Sequence, residues 1–435
     1  MTKPIRLLTV APGHFHAALV QRVMIPGIQS RGYVYGELDA DTVAHLERIA
    51  AFNARAQNPT NWELDARLGP NYFERFLREQ PGTVVVLAGR NQPKIDRILA
   101  ATVAGLNVLA DKPWAIELDD LSKIEQVFHE AELREVVVGD LMTERHEITA
   151  ILQRELMRDP AIFGAPQPGT PEEPGLVLES THFLVKAVSG VPVVRPAWWF
   201  DVRQAGDGLA DVGTHLADLA LWLLFPDLAL DYRRDVRVLD ASRWPTPVTH
   251  AQFQRVTGLS ELPEFLQAVW LRGGQFLYYG NGTATIALGG VHVRISVAWD
   301  VESEGPGLPD AHAAIARGTQ SIVAVTPGDR NRPELEVVPL VAPGRVLEAL
   351  RKRCEDWQPE WPGIAIVPEG NRLRVSIPDA HRTTHEEHFT TALREFVRQV
   401  QFPRSVPSWE RPNLLAKYYI TLKAVELARH KSGGV

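Results

Sequence analysis

Over its first ~140 residues the chain alternates short, strongly apolar segments with segments of helical periodicity. Runs such as Val84-Val85-Val86-Leu87 are apolar at every position, which is typical of strands covered on both faces. Because strands that alternate with helices indicate parallel βαβ units, the pattern predicts an α/β domain with a doubly wound parallel sheet over residues 1–145. The predicted strands are Arg6–Val10, Tyr33–Leu38, Thr83–Ala88, Leu106–Ala110 and Val136–Gly139, and the predicted helices are Ala17–Val23, Asp41–Ala54, Asn71–Gln80, Gln92–Ala104 and Asp119–Ala131.

The rest of the chain has a different pattern. A proline- and glycine-rich loop is predicted at Asp159–Gly175, followed by a helix at Asp211–Phe225. Alternating apolar residues punctuated by glycines then predict an α+β domain over residues 146–435 with a large open, mostly antiparallel sheet. Its predicted strands are Ala268–Leu271, Phe276–Tyr279, Ala284–Leu288, Val291–Val297, Ser321–Val325 and Leu373–Ile377, and the closing helices are His385–Val400 and Asn413–His430.

Composition excludes several classes of protein. The formal net charge of −7 is spread without long basic blocks, so nucleic acid is not an expected partner. The single cysteine, Cys354, excludes an intramolecular disulfide and a cysteine metal cluster. The most apolar stretch, Leu209–Leu230, contains Asp211, His215 and Asp218, which a bilayer would penalise, so no membrane span is expected. Without an export signal after Met1, a cytoplasmic location is expected.

The turn after the first strand is a candidate nucleotide site. Backbone N–H groups of Gly13, His14, Phe15 and His16 would face a pyrophosphate if the strand ran tightly into the next helix, as in Rossmann-type domains. The glycine fingerprint retains only Gly13, because Ala11 and His16 occupy the first and third glycine positions. The alternative is an ordinary βα turn with packed histidines.

Acidic residues follow the second strand. In the segment Glu37-Leu38-Asp39-Ala40-Asp41, Asp39 is placed to accept hydrogen bonds from ribose hydroxyls and to repel a 2′-phosphate. This favours NAD as the cofactor over NADP, although Arg48 lies near enough in sequence to reach a 2′-phosphate. The alternative role of Asp39 or Asp41 is helix N-capping.

Two further strand ends carry polar residues. Arg90 and Asn91 follow the strand Thr83–Ala88, and Asp111, Lys112 and Pro113 follow Leu106–Ala110. Ligands of parallel sheets bind beyond the carboxyl ends of the strands, so these residues are predicted to line the cofactor site. Lys112 is predicted to lie where a nicotinamide and its substrate meet; the alternative is a surface lysine.

A predicted apolar helix carries one ionisable stripe. Asp211, His215 and Asp218 fall at i, i+4 and i+7, after the flexible glycines Gly206 and Gly208. Because burying such groups unpaired costs roughly 2–7 kcal/mol each, a polar cavity or mutual pairing is required. The alternative to a catalytic role is a structural Asp–His pair.

Two other sets of residues are less specific. The histidine-dense segment His381–His388 matches no metal-binding spacing and is predicted to begin a helix, so no metal site is expected. Tryptophans occur at Trp198, Trp199, Trp299, Trp357 and Trp361, where either core packing or sugar stacking would suit them.

Two of these motifs together resemble the glucose–fructose oxidoreductase, inositol dehydrogenase and MocA (Gfo/Idh/MocA) family. Asp111-Lys112-Pro113 resembles the family's Glu-Lys-Pro, and Gly206–Asp218 resembles its glycine-rich segment followed by Asp-x-Gly-x-His-x-x-Asp. The order of elements is similar up to about residue 225, and so is the closing helix. Asp111 in place of glutamate, the degenerate glycine fingerprint and a longer stretch between 230 and 380 depart from the family's pattern.

The resemblance implies a nicotinamide-dependent oxidoreductase acting on a sugar, sugar derivative or polyol. It assigns catalysis to Lys112, Asp211 and His215: His215 takes the proton of a substrate hydroxyl, Lys112 stabilises the developing alkoxide and Asp211 orients or supports them. His182 joins these three as a predicted substrate-binding residue. Two alternatives stay open, an NAD-retaining glycosidase or lyase that oxidises transiently and a non-catalytic dinucleotide or sugar sensor. The open sheet predicts a homodimer or homotetramer.

Overall fold

The protein folds into two compact units built from interleaved chain segments. The structure, a computed structural model, describes residues 4–188, 191–273, 275–303 and 308–432. The first unit comprises Met1–Thr143, Arg203–Gly206 and Thr384–Arg411. The second comprises Glu144–Val202, Asp207–Thr383 and Pro412–Val435.

The first unit is built on a parallel sheet of six strands. These are β1 (Leu7–Val10), β2 (Arg31–Gly36), β3 (Glu63–Leu68), β4 (Val84–Leu87), β5 (Asn107–Asp111) and β6 (Val138–Leu141). Their order is β3-β2-β1-β4-β5-β6, with Leu8 of β1 paired to Tyr33 on one side and Val85 on the other. This is the strand order of Rossmann-type domains, so the predicted doubly wound sheet is confirmed.

Strand β3 was not predicted from the pattern. It reads Glu-Leu-Asp-Ala-Arg-Leu and lies at the sheet edge, where none of its residues is fully buried. Its charged side chains pair with neighbours, since Arg67 binds Asp65 at 3.1 Å and also contacts Glu79. An edge strand half in solvent lacks the apolar run that identifies the central strands.

Helices flank this sheet, and one of them comes from the distant C-terminal region. They are His16–Leu19, Ala40–Ala54, Tyr72–Glu79, Lys94–Val103, Leu121–Leu133 and His385–Gln401, with 3₁₀ turns at Leu118–Asp120 and Pro403–Ser405. The first is shorter than the predicted Ala17–Val23: it ends at Leu19, and residues 20–23 form turns and bends. The last contributes Phe389, Leu393 and Phe396 to the same core as Val86 and Leu109.

Ala11, at the end of β1, has a left-handed backbone with φ of +48°. A residue with a Cβ atom pays about 1–2 kcal/mol for this conformation, which glycine adopts freely. Ala11→Gly should therefore raise the free energy of unfolding by about 0.5–1 kcal/mol, because relieved strain exceeds the added entropy of the unfolded chain. Urea unfolding measures the change.

The matched control for Ala11→Gly is Ala51→Gly. Ala51 is exposed in the helix Ala40–Ala54, where glycine should cost about 1 kcal/mol. Equal destabilisation by both substitutions would contradict the assigned strain at Ala11.

The second unit is built on a large mixed sheet. Its strands are β7 (Leu176–Phe183), β10 (Val236–Val248), β11 (Leu271–Arg272), β12 (Gln275–Leu288), β13 (Val291–Asp300), β14 (Ala311–Arg317), β15 (Ser321–Pro327), β16 (Pro333–Pro339), β17 (Ala365–Glu369) and β18 (Arg372–Ser376), and a separate short hairpin joins β8 (Ala187–Val188) to β9 (Val191–Pro192). The order is β10-β12-β13-β7-β14-β15-β16-β18-β17, with β11 paired to β12. Only β13 and β7 pair in parallel among these described strands, so the predicted large, mostly antiparallel sheet is confirmed.

One predicted strand of this unit is wrong, and several strands were missed. Ala268–Leu271 is helical up to Trp270 and only Leu271–Arg272 form a strand, because the apolar run continues a helix that begins at Glu264. The missed strands of the sheet are β7, β10, β14, β16 and β17, of which β10 holds two prolines and three charged residues, and the hairpin of β8 and β9 was missed as well. Prolines and charged residues mask the alternation that identifies a strand. The predicted strands Phe276–Tyr279 and Ala284–Leu288 are two parts of the single strand β12.

The remaining helices belong to the second unit, except that Val202–Ala205 lies mainly in the first unit and Glu410–Lys431 begins there. They are Ile148–Met157, Val202–Ala205, Gly208–Asp211, Gly213–Leu224, Tyr232–Asp235, His250–Thr257, Glu264–Trp270, Pro343–Trp357 and Glu410–Lys431, with 3₁₀ turns at Glu144–His146, Ala197–Phe200, Asp329–Asn331 and Asp379–His381. A Cβ atom at Gly208 would lie 1.7 Å from the carbonyl oxygen of Gly280, so this position accepts only glycine. No helix of the described residues has the length and apolar character needed to cross a membrane.

Candidate active site

The turn after β1 is fixed by backbone hydrogen bonds to neighbouring strand ends. The Ala11 N–H donates to the Tyr35 carbonyl at 2.7 Å, and those of Gly13 and His14 donate to the Ala88 carbonyl at 3.0 Å each. The N–H groups of Gly13 and His14 were predicted to face a pyrophosphate, yet both donate to the protein's own backbone. Within the described residues the Phe15 N–H donates no hydrogen bond, so it remains available to a ligand.

The backbone of this turn lies close to the end of β4. A Cβ atom added to Gly89 would lie 2.3 Å from the Ala11 carbonyl oxygen. Glycine is therefore required after Ala88, although the fingerprint considered only glycines in the first turn. Because Gly89 has no side chain, it does not fill the space at the ends of β1 and β4, where the strand order of the sheet reverses.

Asp39 performs the capping role that was one of its two alternatives. Its Oδ1 atom accepts a hydrogen bond from the Thr42 N–H at 2.9 Å at the start of the helix Ala40–Ala54. The side chain is partly exposed and Oδ2 accepts no hydrogen bond from the described residues. One carboxylate oxygen thus caps the helix and the other can accept a ligand hydroxyl.

Polar residues at the ends of β4 and β5 are joined by a buried lysine that the sequence reasoning missed. Lys94 is 2% exposed, and its Nζ donates to the Asn91 Oδ1 at 2.5 Å and to the Asp111 carbonyl at 2.9 Å. Asn91 donates to the Ala205 carbonyl at 2.6 Å, and Arg90 reaches Gln204. The one indication of this buried role in the sequence was the position of Lys94, a lysine at the start of a helix whose same face is otherwise mostly apolar.

Lys112 is buried in the first unit. It follows β5 directly, is 8% exposed and is joined to Pro113 by a cis peptide bond. A surface lysine is thereby excluded, because solvated lysines stay exposed. The preceding Asp111 is 4% exposed and contacts the imidazole of His16, with 3.0 Å between Asp111 Oδ2 and His16 Nδ1.

In the second unit the ionisable stripe divides into two parts. Asp211 ends the helix Gly208–Asp211 and His215 lies in the first turn of Gly213–Leu224, and both are partly exposed. Asp218 is buried and receives bidentate hydrogen bonds of 2.6 Å from Arg145, with the Lys417 ammonium at 3.2 Å. Burial alone would raise the pKa of Asp218, but Arg145 and Lys417 hold it below its usual value.

Asp211 shares its surroundings with a buried arginine and a buried tyrosine. Burial raises the pKa of Tyr278 well above its usual value, and the Asp211 carboxylate raises it further. Burial lowers the pKa of the Arg195 guanidinium, against the opposing influence of Tyr278, Asp310 and Asp211. The sequence reasoning missed Arg195 and Tyr278, whose roles depend on contacts across the sheet.

Arg195 packs against the rings of two of the tryptophans singled out in the sequence, Trp199 and Trp299. Its guanidinium carbon is 4.3 Å from the Trp199 ring centre and 5.0 Å from that of Trp299, and the Trp199 and Tyr278 rings are 4.9 Å apart. Within the described residues the buried Trp299 Nε1 atom has no hydrogen-bond partner, whereas Arg195 donates to the Leu184 and Phe183 carbonyls. A buried N–H group of this kind requires an acceptor, and a ligand hydroxyl would supply one.

His182 is held in a hydrogen-bond network of the second unit. Its Nδ1 lies 2.8 Å from Asp310 Oδ2 and its Nε2 lies 2.6 Å from Ser180 Oγ, which in turn lies 2.9 Å from His312 Nδ1. Lys186 donates to the same Asp310 oxygen at 2.6 Å. Burial lowers the pKa of His182, and Asp310 opposes the shift, so the ring is neutral with Nδ1–H donated to Asp310.

The hydrogen-bond network around His182 holds the Trp299 ring in place. Both ring nitrogens of His182 are engaged, and its ring stacks on Trp299 with centroids 4.8 Å apart. The order serine, histidine, aspartate is that of a hydrolytic triad, but Ser180 is 2% exposed and also faces His312. Ser180 therefore acts as a link between two imidazoles.

Other residues singled out in the sequence lie in structural settings. Burial raises the pKa of the Cys354 thiol to about 11, so it is no thiolate nucleophile at neutral pH. Trp357 is buried, with its ring centre 6.1 Å from that of Trp361. Thr384 and Glu387 form a capping box that begins the helix His385–Gln401, as predicted for the histidine-dense segment.

The predicted catalytic residues come from both units. Lys112 and the cofactor-site candidates up to Pro113 belong to the first unit, and Asp211, His215 and His182 belong to the second. Within the second unit the structure brings Asp211 together with Arg195 and Tyr278, and separates Asp218 from them as part of an ion cluster.

Comparisons with known proteins agree with this architecture. Residues 152–429 match the family model described as "Putative oxidoreductase C terminal domain". A crystal structure described as "a putative oxidoreductase from Parabacteroides merdae ATCC 43184" is 38% identical, with 99% of this chain and 98% of that chain covered and a TM-score of 0.95. No curated protein gives a significant match.

More distant solved structures share the fold. A levoglucosan dehydrogenase in complex with NADH and levoglucosan is 14% identical, covers 98% of this chain and 97% of its own, and has a TM-score of 0.61. A myo-inositol dehydrogenase, described as putative, from Sinorhizobium meliloti 1021 is 12% identical, covers 98% of each chain and has a TM-score of 0.57. Because the family model spans residues 152–429 and the Parabacteroides structure covers nearly the whole chain, this protein belongs to the oxidoreductase family defined by that C-terminal domain.

Proposed function

We propose that this protein is a nicotinamide-dependent dehydrogenase that oxidises a hydroxyl group of a sugar, sugar derivative or polyol. The observation that carries the proposal is the buried Trp299 Nε1 atom, which has no hydrogen-bond partner among the described residues and lies beside the group formed by Arg195, Tyr278 and Asp211. A guanidinium group beside indole rings is a suitable environment for a pyranose, whose hydroxyl groups are polar and whose ring face is apolar. The levoglucosan complex of a fold neighbour supports the same substrate class.

The residues of the first unit fit a dinucleotide. The strand order reverses between β1 and β4, the backbone approaches closely at Gly89, and the Phe15 N–H and Asp39 Oδ2 are available to a ligand. Phe15 and Asp39 would hold the nucleotide, with Gly13, Arg90, Asn91 and Pro113 around it. When bound, the nicotinamide supplies the acceptor for a hydride.

The chain's own residues would then accept the proton of the substrate hydroxyl and stabilise the negative charge on its oxygen. In this proposal His215 takes the proton from the substrate hydroxyl, and the buried ammonium of Lys112 stabilises the oxygen as it becomes an alkoxide. Asp211 orients His215 or supports Lys112, while Arg195, which packs on the Trp199 and Trp299 rings, would bind the sugar. His182 keeps Trp299 in place through its stacked ring.

The test is a spectrophotometric assay of reduced-nicotinamide formation with a panel of monosaccharides, anhydrosugars and inositols. We expect turnover with NAD at least tenfold above that with NADP, because Asp39 and the neighbouring Glu37 and Asp41 repel a 2′-phosphate. Calorimetric titration with both cofactors measures the preference directly.

Two outcomes would redirect the proposal. Release of an aglycone from glycosides without net reduction of free NAD would identify a glycosidase or lyase that retains its cofactor. Nucleotide or sugar binding without any turnover across the panel would indicate a sensor. Tighter binding of NADP would reverse the cofactor assignment.

A further inference from the structure

Two histidines and an aspartate from distant parts of the sequence meet in the first unit. His14 and His16 lie in the turn after β1, and Asp111 is the last residue of β5, 95 residues beyond His16. Asp111 Oδ2 lies 3.0 Å from His16 Nδ1 and 3.6 Å from His14 Nδ1. One donor atom from each of the three residues lies within 4.8 Å of the other two.

These separations match the coordination shell of a small cation. With metal–nitrogen and metal–oxygen bonds of about 2.0–2.2 Å, two ligand atoms of a tetrahedral site lie about 3.3–3.5 Å apart. The measured 3.0 and 3.6 Å fall on either side of this value. Because the imidazole rings of His14 and His16 stand at 90° with centroids 4.0 Å apart, they reach the carboxylate from two directions.

The carboxylate itself lacks a complete set of partners. Asp111 is 4% exposed, and its Oδ1 atom is buried without a hydrogen-bond partner among the described residues. The nearby Lys94 ammonium donates to the backbone carbonyl of Asp111. A buried carboxylate oxygen left in this state is costly, and a cation bound by the carboxylate would remove the cost.

We propose that His14, His16 and Asp111 form a binding site for a divalent transition-metal ion such as Zn²⁺. Two imidazoles and one carboxylate are a ligand set that suits Zn²⁺, Co²⁺, Fe²⁺ or Mn²⁺, whereas Mg²⁺ and Ca²⁺ prefer oxygen ligands. At least one coordination position is left for water or a further ligand. The ring centre of a further histidine, His385, lies 6.0 Å from that of His16.

The experiment titrates chelator-treated full-length protein with Co²⁺ and Zn²⁺, without nucleotide or substrate. Calorimetry should give one site, and Co²⁺ should produce a visible absorption band of low-symmetry coordination. Mg²⁺ should bind at least 100-fold more weakly. Because neither cofactor nor turnover enters the measurement, its result is independent of whether the protein proves to be a dehydrogenase.

Variants distinguish this site from adventitious binding. His16→Ala and the nearly isosteric Asp111→Asn should each weaken Co²⁺ binding at least 100-fold and remove the absorption band, with circular dichroism confirming the fold. His129→Ala, an exposed histidine of the first unit, should leave both unchanged. His14→Gln serves as a second ligand variant should one of the others not fold. Binding of Co²⁺ to the wild type that is no tighter than to His16→Ala or His14→Gln would overturn the proposal.

Discussion

Replacing His215 by Asn or Lys112 by Met should lower kcat for sugar oxidation by about 10²–10⁴-fold, the usual contribution of a positioned acid, base or charge. Both residues are assigned to the chemical step, so the affinity for NAD should change only a few-fold. Asp211→Asn should have an intermediate effect, because it keeps the shape of the side chain and removes its charge. Single-turnover rates and NAD titrations on the same variants measure both quantities.

Matched controls separate this effect from loss of structure. His250→Asn and Lys123→Met change an exposed histidine and a partly exposed lysine and should retain full activity. The double variant of Lys112 and His215 should lose less than the product of the single losses, because groups that act together are non-additive. A stable His215→Asn enzyme that binds NAD and turns over at a near-normal rate would refute the assigned role.

Replacing Asp218 by Asn should destabilise the second unit by about 3–5 kcal/mol, the cost of leaving a buried ion cluster without its counter-charge. Asp218 lies between the Arg145 guanidinium and the Lys417 ammonium, and Asp218 and Lys417 are each 1% exposed. Removing the carboxylate leaves both cations in a low-dielectric setting. Urea unfolding at pH 7 measures the loss.

The pH dependence identifies the charge as the cause. Because the pKa of Asp218 is lower in the folded chain than in the unfolded one, its contribution is present above about pH 4 and is lost as pH falls through the folded value. The difference in stability between wild type and Asp218→Asn should therefore shrink below pH 4. Asp240→Asn, which breaks an exposed pair with Lys431, should cost at most about 1 kcal/mol. Equal losses in the two variants would contradict this account.

The elements that were predicted well from the sequence are those whose burial produces a recognisable pattern of apolar residues. Val84–Leu87 is an apolar run because β4 lies in the middle of the parallel sheet, and β12 and β13 alternate because one face of each strand is buried. Strand β3 has no such pattern at its half-exposed edge. The apolar run at Ala268 is compatible with a strand or with a helix. It forms a helix because it continues the helix that begins at Glu264.

The candidate site was predictable only where chemistry is local in the sequence. Lys112 and the Asp211 to Asp218 segment could be identified from their neighbours, but the pairing of Asp218 with residues 73 and 199 positions away could not. The same holds for Arg195 beside Trp299, and for His16 beside Asp111. Periodicity reports which face of an element is buried, and gives no account of which distant side chain it meets.

The helix His385–Gln401 has a consequence for biosynthesis. It completes the core of the first unit by packing Phe389, Leu393 and Phe396 with residues of the N-terminal sheet. When residues 4–143 leave the ribosome, the surface that this helix covers, including that of Gly139 against Phe396, is still open. The amino-terminal unit therefore reaches its native packing only after about nine-tenths of the chain has been translated, and until then its uncovered apolar surface is open to chaperones and to aggregation.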